Sequence, residues 1–195
     1  MMRSLGTRMN TTDPSEILGE GRFVRLRRLA NGWECVDRIN AAHIVTVVAV
    51  TPDDCLVLVD QMRPPVGAAV IELPAGLVGD QPGAEDEDWL AAAQRELEEE
   101  TGFVAARWST LTSGPPSSGL TSEIITFYLA QDLTRTGPGG GDNNEDITVH
   151  TVPLAGIDAW LEERVNEGHL LDPKVYTALY FLHGRSFHRC SAPEP

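Results

Sequence analysis

The sequence predicts an α/β domain built on a mixed sheet with helices on both faces, preceded by a small antiparallel hairpin. Three observations carry this. Several strand-like runs flank one acidic helical segment on both sides, instead of alternating with helices one by one. An Asn31-Gly32 link joins two alternating runs near the N-terminus. Two amphipathic helical segments then close the chain, giving the layered pattern of a sheet covered on both faces.

The elements follow in order. Arg22 to Ala30 alternates Val24 and Leu26 with Arg25 and Arg27, and Trp33 to Ile39 returns after Asn-Gly, the strongest short-range hairpin signal. Ala42 to Val50 is an apolar, β-branched run with the character of a buried strand, and Cys55 to Asp60 comes back after Thr51-Pro52-Asp53-Asp54. Gln61 to Pro65 is expected to leave the sheet, because the two prolines cannot donate to a ladder. Ala69 to Leu73 is a short strand, and Leu77 to Asp88 reads as loop. Asp86 or Asp88 caps a helix running to about Glu100, and Gly102 suits a left-handed stop. Phe103 to Thr112, Ile124 to Ala130 and Ile147 to Val152 are further strands, separated by Ser113–Ser122 and the Gly-rich Thr136–Asn144. Leu154 to Asn166 is an amphipathic helix with Leu154, Ile157, Trp160, Leu161 and Val165 on one face. Asp172-Pro173 starts the last helix, which buries Val175, Leu179 and Leu182. The expected division is 1–16 as a disordered tail, 17–40 as the hairpin, 41–185 as the main domain and 186–195 as a second tail.

A net charge of −14 argues against nucleic acid or an anionic membrane as partner, while leaving a phosphorylated substrate open if cations mediate. Cys35, Cys55 and Cys190 have no metal-type spacing, and the first two are expected as buried thiols. No apolar run is long enough to span a bilayer, and the first sixteen residues lack a signal-peptide core. A cytoplasmic location is the expectation.

The acidic segment Arg95-Glu96-Leu97-Glu98-Glu99-Glu100-Thr101-Gly102 carries the chemistry. On a helix, Glu96, Glu99 and Glu100 stand at i, i+3 and i+4 and share an arc of roughly 100°. Leu90, Ala93 and Leu97 form the adjoining apolar stripe, and Glu98 faces solvent. Three carboxylates on one arc repel one another, and the macrodipole opposes them at a C-terminal end. Two readings follow. A hard divalent cation such as Mg²⁺ removes both penalties, or the arc is a solvated acidic face with Arg95 pairing Glu99.

With Phe103, this segment resembles the helical half of the Nudix box, whose pattern continues upstream through Glu87 to an opening glycine matched by Gly76. Gln61-Met62-Arg63-Pro64-Pro65, Glu72-Leu73-Pro74-Ala75-Gly76-Leu77, Gly119-Leu120-Thr121-Ser122-Glu123, Trp33-Glu34 and Asp172-Pro173-Lys174-Val175-Tyr176 resemble the ADP-ribose pyrophosphatase branch, so the likeness covers about Arg22 to Leu182. The resemblance implies the Nudix fold, an α/β/α sandwich with a mixed sheet, and a homodimer that exchanges the N-terminal hairpin. It implies hydrolysis of a nucleoside diphosphate linked to another moiety, with Mg²⁺ or Mn²⁺.

By that resemblance, Glu96, Glu99, Glu100 and the Ala75 carbonyl hold metal, Arg95 orients Glu99, and Glu145 serves as base or further ligand. Trp33 stacks on the base with Glu34 beside it, Arg63 faces the diphosphate, and Arg38, Gly119 and Glu123 complete the substrate site. The sequence departs from the pattern at three places. Ten residues separate Gly76 from Glu87 instead of five, Ser118 stands where the branch has proline, and Asn143-Asn144 replaces acids before Glu145. GDP-mannose or UDP-glucose is the alternative substrate, and a non-catalytic nucleotide-sensing module is the alternative class.

Overall fold

The computed structural model describes residues 15–39, 41, 43–79, 83–84, 86–141 and 146–184. Three short strands come first: β1 (Glu16–Glu20), β2 (Val24–Arg28) and β3 (Glu34–Arg38). Then follow β4 (His43–Ala49), β5 (Cys55–Arg63), β6 (Ala68–Glu72), β7 (Ala75–Val78) and helix α1 (Trp89–Thr101). The chain continues through β8 (Phe103–Gly114), β9 (Ile125–Arg135) and β10 (Thr148–Pro153). A 3₁₀ turn at Leu154–Gly156 leads into α2 (Ile157–Asn166), β11 (Leu170–Leu171) and α3 (Pro173–Leu182).

The strands form three sheets, ordered β1-β2-β3, β10-β5-β6-β11 and β7-β4-β9-β8. β4 runs parallel to β9 and β11 parallel to β6, while the other ladders are antiparallel. Helix α1 buries Ala92, Ala93 and Leu97 in a cluster with Val45, Val47, Tyr128 and Ala130. Helices α2 and α3 bury Ile157, Leu161, Val175 and Leu179 in a second cluster with Val48, Leu58, Ile71 and Phe127. β4 thus sends alternate side chains into two cores, the period-two signature of a strand covered on both faces. This is the expected mixed architecture, with the sheet divided into two four-stranded halves.

Several expectations are corrected. Glu16 is not tail: it opens β1, which pairs with β2 and makes the N-terminal unit a three-stranded sheet. Three strands are also the usual minimum for independent stability. The Asn31-Gly32 link is not a two-residue turn. The Leu29 N–H donates to the Trp33 carbonyl at 2.7 Å, and the Gly32 N–H donates to the Leu29 carbonyl at 2.8 Å. Within that turn only Gly32 has positive φ, +84°, whereas a two-residue Asn-Gly turn needs it at both positions. Asn31 instead accepts the Trp33 N–H on its side chain, at 3.0 Å.

β5 also does not stop at Asp60. Gln61, Met62 and Arg63 stay in the ladder opposite Val70, Ala69 and Ala68, and the prolines act only after them. Leu77 and Val78 belong to β7 rather than to a loop, because they pair with Ile44 and His43 of β4. Val165 is 49% exposed and leaves the buried face of α2, and Cys55 is half-buried. Asp88 is the cap of α1, accepting from the Leu90 and Ala91 N–H groups at 3.0 Å, and Gly102 ends the helix at φ +71°. Among the described residues, no helix is long and apolar enough to cross a membrane.

A polar cluster pins β10 and α2 to β5. The His169 Nε2 lies 3.0 Å from Asp60 Oδ2, and its Nδ1 lies 3.2 Å from the Arg164 carbonyl. His150 Nε2 stands 3.9 Å from the same Asp60 oxygen, buried and without a hydrogen-bond partner, and its ring lies 5.0 Å from Trp160. Burial lowers the His150 pKa most; Asp60 opposes this, and Arg164 and His169 add to the lowering. The unfolded imidazole takes its proton near pH 6.5 while the folded one resists. The contribution of His150 is therefore complete above about pH 6.5 and shrinks as pH falls through that value toward the folded one. Thermal melts between about pH 7.5 and 5.5 should show His150→Phe losing less melting temperature than the parent.

Candidate active site

The acidic arc of α1 lies against the backbone of β7. Ala75 and Gly76 pair with Thr46 and Val45 of β4, which fixes β7 beneath the helix. The Ala75 N–H donates to Glu100 Oε2 at 3.1 Å. The Glu96 side chain fills the space where a residue-76 side chain would stand: an added Cβ would meet Glu96 Cδ at 1.9 Å and Cγ at 2.5 Å. The helix and β7 approach this closely only because position 76 is glycine. Glu96 is 9% exposed and Glu100 3%, while the Glu99 side chain is 44% exposed. Glu98 faces solvent, where it accepts from the Thr136 hydroxyl at 3.1 Å.

Arg95 uses all three guanidinium nitrogens to tie this arc together. Its Nη1 donates to Glu96 Oε1 at 2.7 Å and to Glu99 Oε2 at 3.0 Å. Its Nε donates to Glu87 Oε1 at 3.1 Å, and its Nη2 to the Leu77 carbonyl at 3.2 Å. Burial works against the charge of Arg95, but Glu87, Glu96 and Glu99 outweigh it and push the pKa above the ordinary arginine value. Glu87 in turn accepts the Gly79 N–H at 3.1 Å, and Arg95 holds its carboxyl below the usual range against the effect of burial. Glu87 therefore anchors the loop entering α1, a role that its place in the motif did not reveal.

The glycine run closes over the C-terminal end of the same helix. The Gly140 N–H donates to the Glu100 carbonyl at 2.8 Å and the Gly141 N–H to the Glu99 carbonyl at 3.1 Å. Gly139, Gly140 and Gly141 all have positive φ, and a Cβ on Gly139 would lie 2.4 Å from the Thr101 carbonyl carbon. The loop thus supplies donors to helix carbonyls that lack intrahelical partners. Glu145, four residues further on, lies outside the described residues.

A second cluster forms around Arg63, whose Nε and Nη2 donate to the two oxygens of buried Glu72 at 2.7 and 2.6 Å. A fork-to-fork pair of this kind fixes the guanidinium plane. The role of Glu72 comes from a contact across the β5–β6 ladder, which the motif around it does not announce. A third cluster joins the N-terminal sheet to the segment before β9. Trp33 Nε1 donates to the Gly119 carbonyl at 3.1 Å, leaving the residue 56% exposed, and Arg38 Nε donates to Glu123 Oε1. Glu34 pairs with Arg28 on β2 at 3.0 Å.

The donor chemistry of the acidic arc suits a hard cation: it is all carboxylate, with two of the three acids buried. Among the described residues, no three acidic, histidine or cysteine side chains already converge on one point that could hold an ion. Arg95 holds Glu96 through Oε1 and Glu99 through Oε2, and a carboxylate paired through one oxygen keeps acceptor capacity on the other.

A model of the NUDIX domain matches residues 41–170, and the chain belongs to that family. Among curated relatives, the methanol dehydrogenase activator of Bacillus methanolicus is 32% identical over 88% of this chain and 91% of its own. The ADP-ribose pyrophosphatase of Bacillus subtilis is 38% identical over 71% of this chain and 70% of its own. A solved structure described as an ADP compounds hydrolase superposes with a TM-score of 0.64, at 24% identity, over 93% of this chain and 95% of that one, which establishes the shared fold.

Proposed function

We propose that this chain is a Mg²⁺-dependent pyrophosphohydrolase that cleaves ADP-ribose or a related nucleoside diphosphate sugar into a nucleoside monophosphate and a sugar phosphate. The observation that carries the reading is the carboxylate arc of α1, with Glu96 and Glu100 seated on the backbone of β7. The relatives named as pyrophosphatases support the reaction class.

Glu96, Glu99, Glu100 and the Ala75 carbonyl would hold Mg²⁺, with Mn²⁺ as a substitute. The bound ion supplies charge neutralisation at phosphorus and a lowered pKa for an attacking water. Arg95 sets the rotamers of Glu96 and Glu99. Glu145 takes the proton of the attacking water, and the bond from the attacked phosphorus to the bridging oxygen breaks. Arg63, its plane fixed by Glu72, faces the diphosphate, while Trp33 offers an exposed ring to the base. Glu34, Arg38, Gly119 and Glu123 surround that end of the site.

Residues 17–40 form the base-recognition unit and 41–185 the hydrolase domain. Two copies pair by exchanging the N-terminal unit, whose Ile17, Phe23, Val24 and Leu26 are exposed. A monomer by light scattering at micromolar concentration would exclude that exchange.

The deciding experiment is a panel of ADP-ribose, GDP-mannose and UDP-glucose with Mg²⁺, scoring phosphate released after phosphatase treatment. Hydrolysis of none of them, together with tight nucleotide binding, would make the chain a sensing module. Trp33→Ala should raise KM about tenfold with kcat within about twofold, because base–aromatic stacking contributes roughly 1–3 kcal/mol. An unchanged KM would remove Trp33 from the site.

A further inference from the structure

The exposed Trp33 ring must be presented in one orientation to meet a base, yet it stands on a small sheet against a segment with little burial. Pro115 to Leu120 are all exposed, so this stretch has no core contact to hold its position. What holds the two together is a run of polar ties in parallel register. The Trp33 indole reaches Gly119, the Val36 N–H donates to the Leu120 carbonyl at 2.8 Å, and Val36 bridges Thr121. Ser122 Oγ donates to Asp37 Oδ1 at 2.6 Å, and Arg38 donates to Glu123.

Asp37 is the hub of this run. Its other oxygen, Oδ2, accepts from Arg27 Nε on β2, so one partly buried carboxylate joins two strands and the segment before β9. Burial raises its pKa, but Arg27 and Ser122 together bring it below the usual carboxylate range and keep it charged at neutral pH. Ser122 has one hydroxyl hydrogen to donate, and Asp37 takes it. Arg38 and Glu123 pair with each other across the same junction and add a second charged tie beside it.

We propose that Asp37 and Ser122 are positioning residues for nucleobase recognition: their hydrogen bond locks β3 onto the segment at 119–123 and so fixes the Trp33 ring and the Gly119 backbone as one platform. This rests on the reading that Trp33 meets the base. The clasp forms within one chain here and would form between two copies that exchange their N-terminal units. It governs how tightly the base end is held and leaves the bond-breaking end untouched.

The test uses the full chain with Ser122→Ala, Ser122→Thr, Asp37→Asn and Trp33→Ala, each checked for folding by circular dichroism. ADP-ribose kinetics are read as separate kcat and KM, and AMP binding is read by isothermal titration calorimetry. Ser122→Ala and Asp37→Asn should raise KM three- to tenfold and weaken AMP binding by a similar factor, with kcat within about twofold; Ser122→Thr should restore both. A diphosphate diester without a base should be hydrolysed by the Ser122 and Asp37 variants as by the parent. If Asp37→Asn fails to fold through loss of the Arg27 pair, the serine pair decides alone. Should Trp33→Ala weaken AMP while Ser122→Ala does not, the clasp is overturned and the base reading stands. Should Trp33→Ala change neither KM nor AMP binding, both fall. If the parent hydrolyses no ADP-ribose, the AMP arm still decides the clasp.

Discussion

Glu100→Gln will lower kcat by about 10²–10³ while the protein stays folded, a loss comparable to removing one preorganised charge-stabilising group from an enzyme site. The fold is expected to survive because the glutamine carbonyl oxygen can still accept the Ala75 N–H that Glu100 Oε2 accepts now. Stability in the absence of metal should hold or rise. Glu100 is 3% exposed, shares its arc with Glu96 and Glu99, and sits at the negative end of the helix dipole, so losing its charge relieves repulsion. Addition of Mg²⁺ should raise the melting temperature of the parent by linkage and raise that of the variant far less. Chelation should abolish parental activity. Turnover of Glu100→Gln at the parental rate would sink the metal assignment.

Gly76→Ala is expected to cost about 10²-fold in kcat/KM, the scale on which a displacement of roughly 1 Å is felt at an active site. The new Cβ would fall 1.9 Å from Glu96 Cδ, and because Cγ is also within 2.5 Å, rotating only the carboxylate does not clear the clash. Glu96 must swing off β7, breaking its 2.7 Å bond from Arg95 and freeing the guanidinium that also sets Glu99. The accompanying destabilisation is that of overpacking, about 1–3 kcal/mol. In a Glu96→Ala background the obstacle is gone. Gly76→Ala should then cost little further stability or activity, and the departure from additivity measures the coupling. Equal effects in both backgrounds would show that Gly76 acts through something other than Glu96.

What the sequence showed depended on how locally each feature is encoded. Asp88 as cap, Gly102 as stop and the Glu96–Glu99–Glu100 arc are set by spacings of a few residues, and the structure has them where the pattern puts them. β7 was invisible because its partner β4 lies far upstream and Gly76 looks like a turn residue until Glu96 is seen to need its space. β11 has two residues and exists only through its parallel pairing with β6. β1 was hidden by Gly19 and its closeness to the N-terminus, and β5 continued because its prolines follow the last paired residue. Among site residues, the Arg95 pair with Glu99 followed from i,i+4 geometry. Its bonds to Glu87 and Leu77, the Arg63–Glu72 pair and the Asp37–Ser122 tie are tertiary, and no single-sequence periodicity announces them.

The bonds from Gly140 and Gly141 to the last carbonyls of α1 make the loop and the helix end a single opening unit. Their amide protons belong, for solvent exchange, with the helix rather than with other surface glycines, since neither can open without releasing a carbonyl of Glu100 or Glu99. An insertion between Gly137 and Gly141 would unfasten the end of the helix that carries the carboxylates.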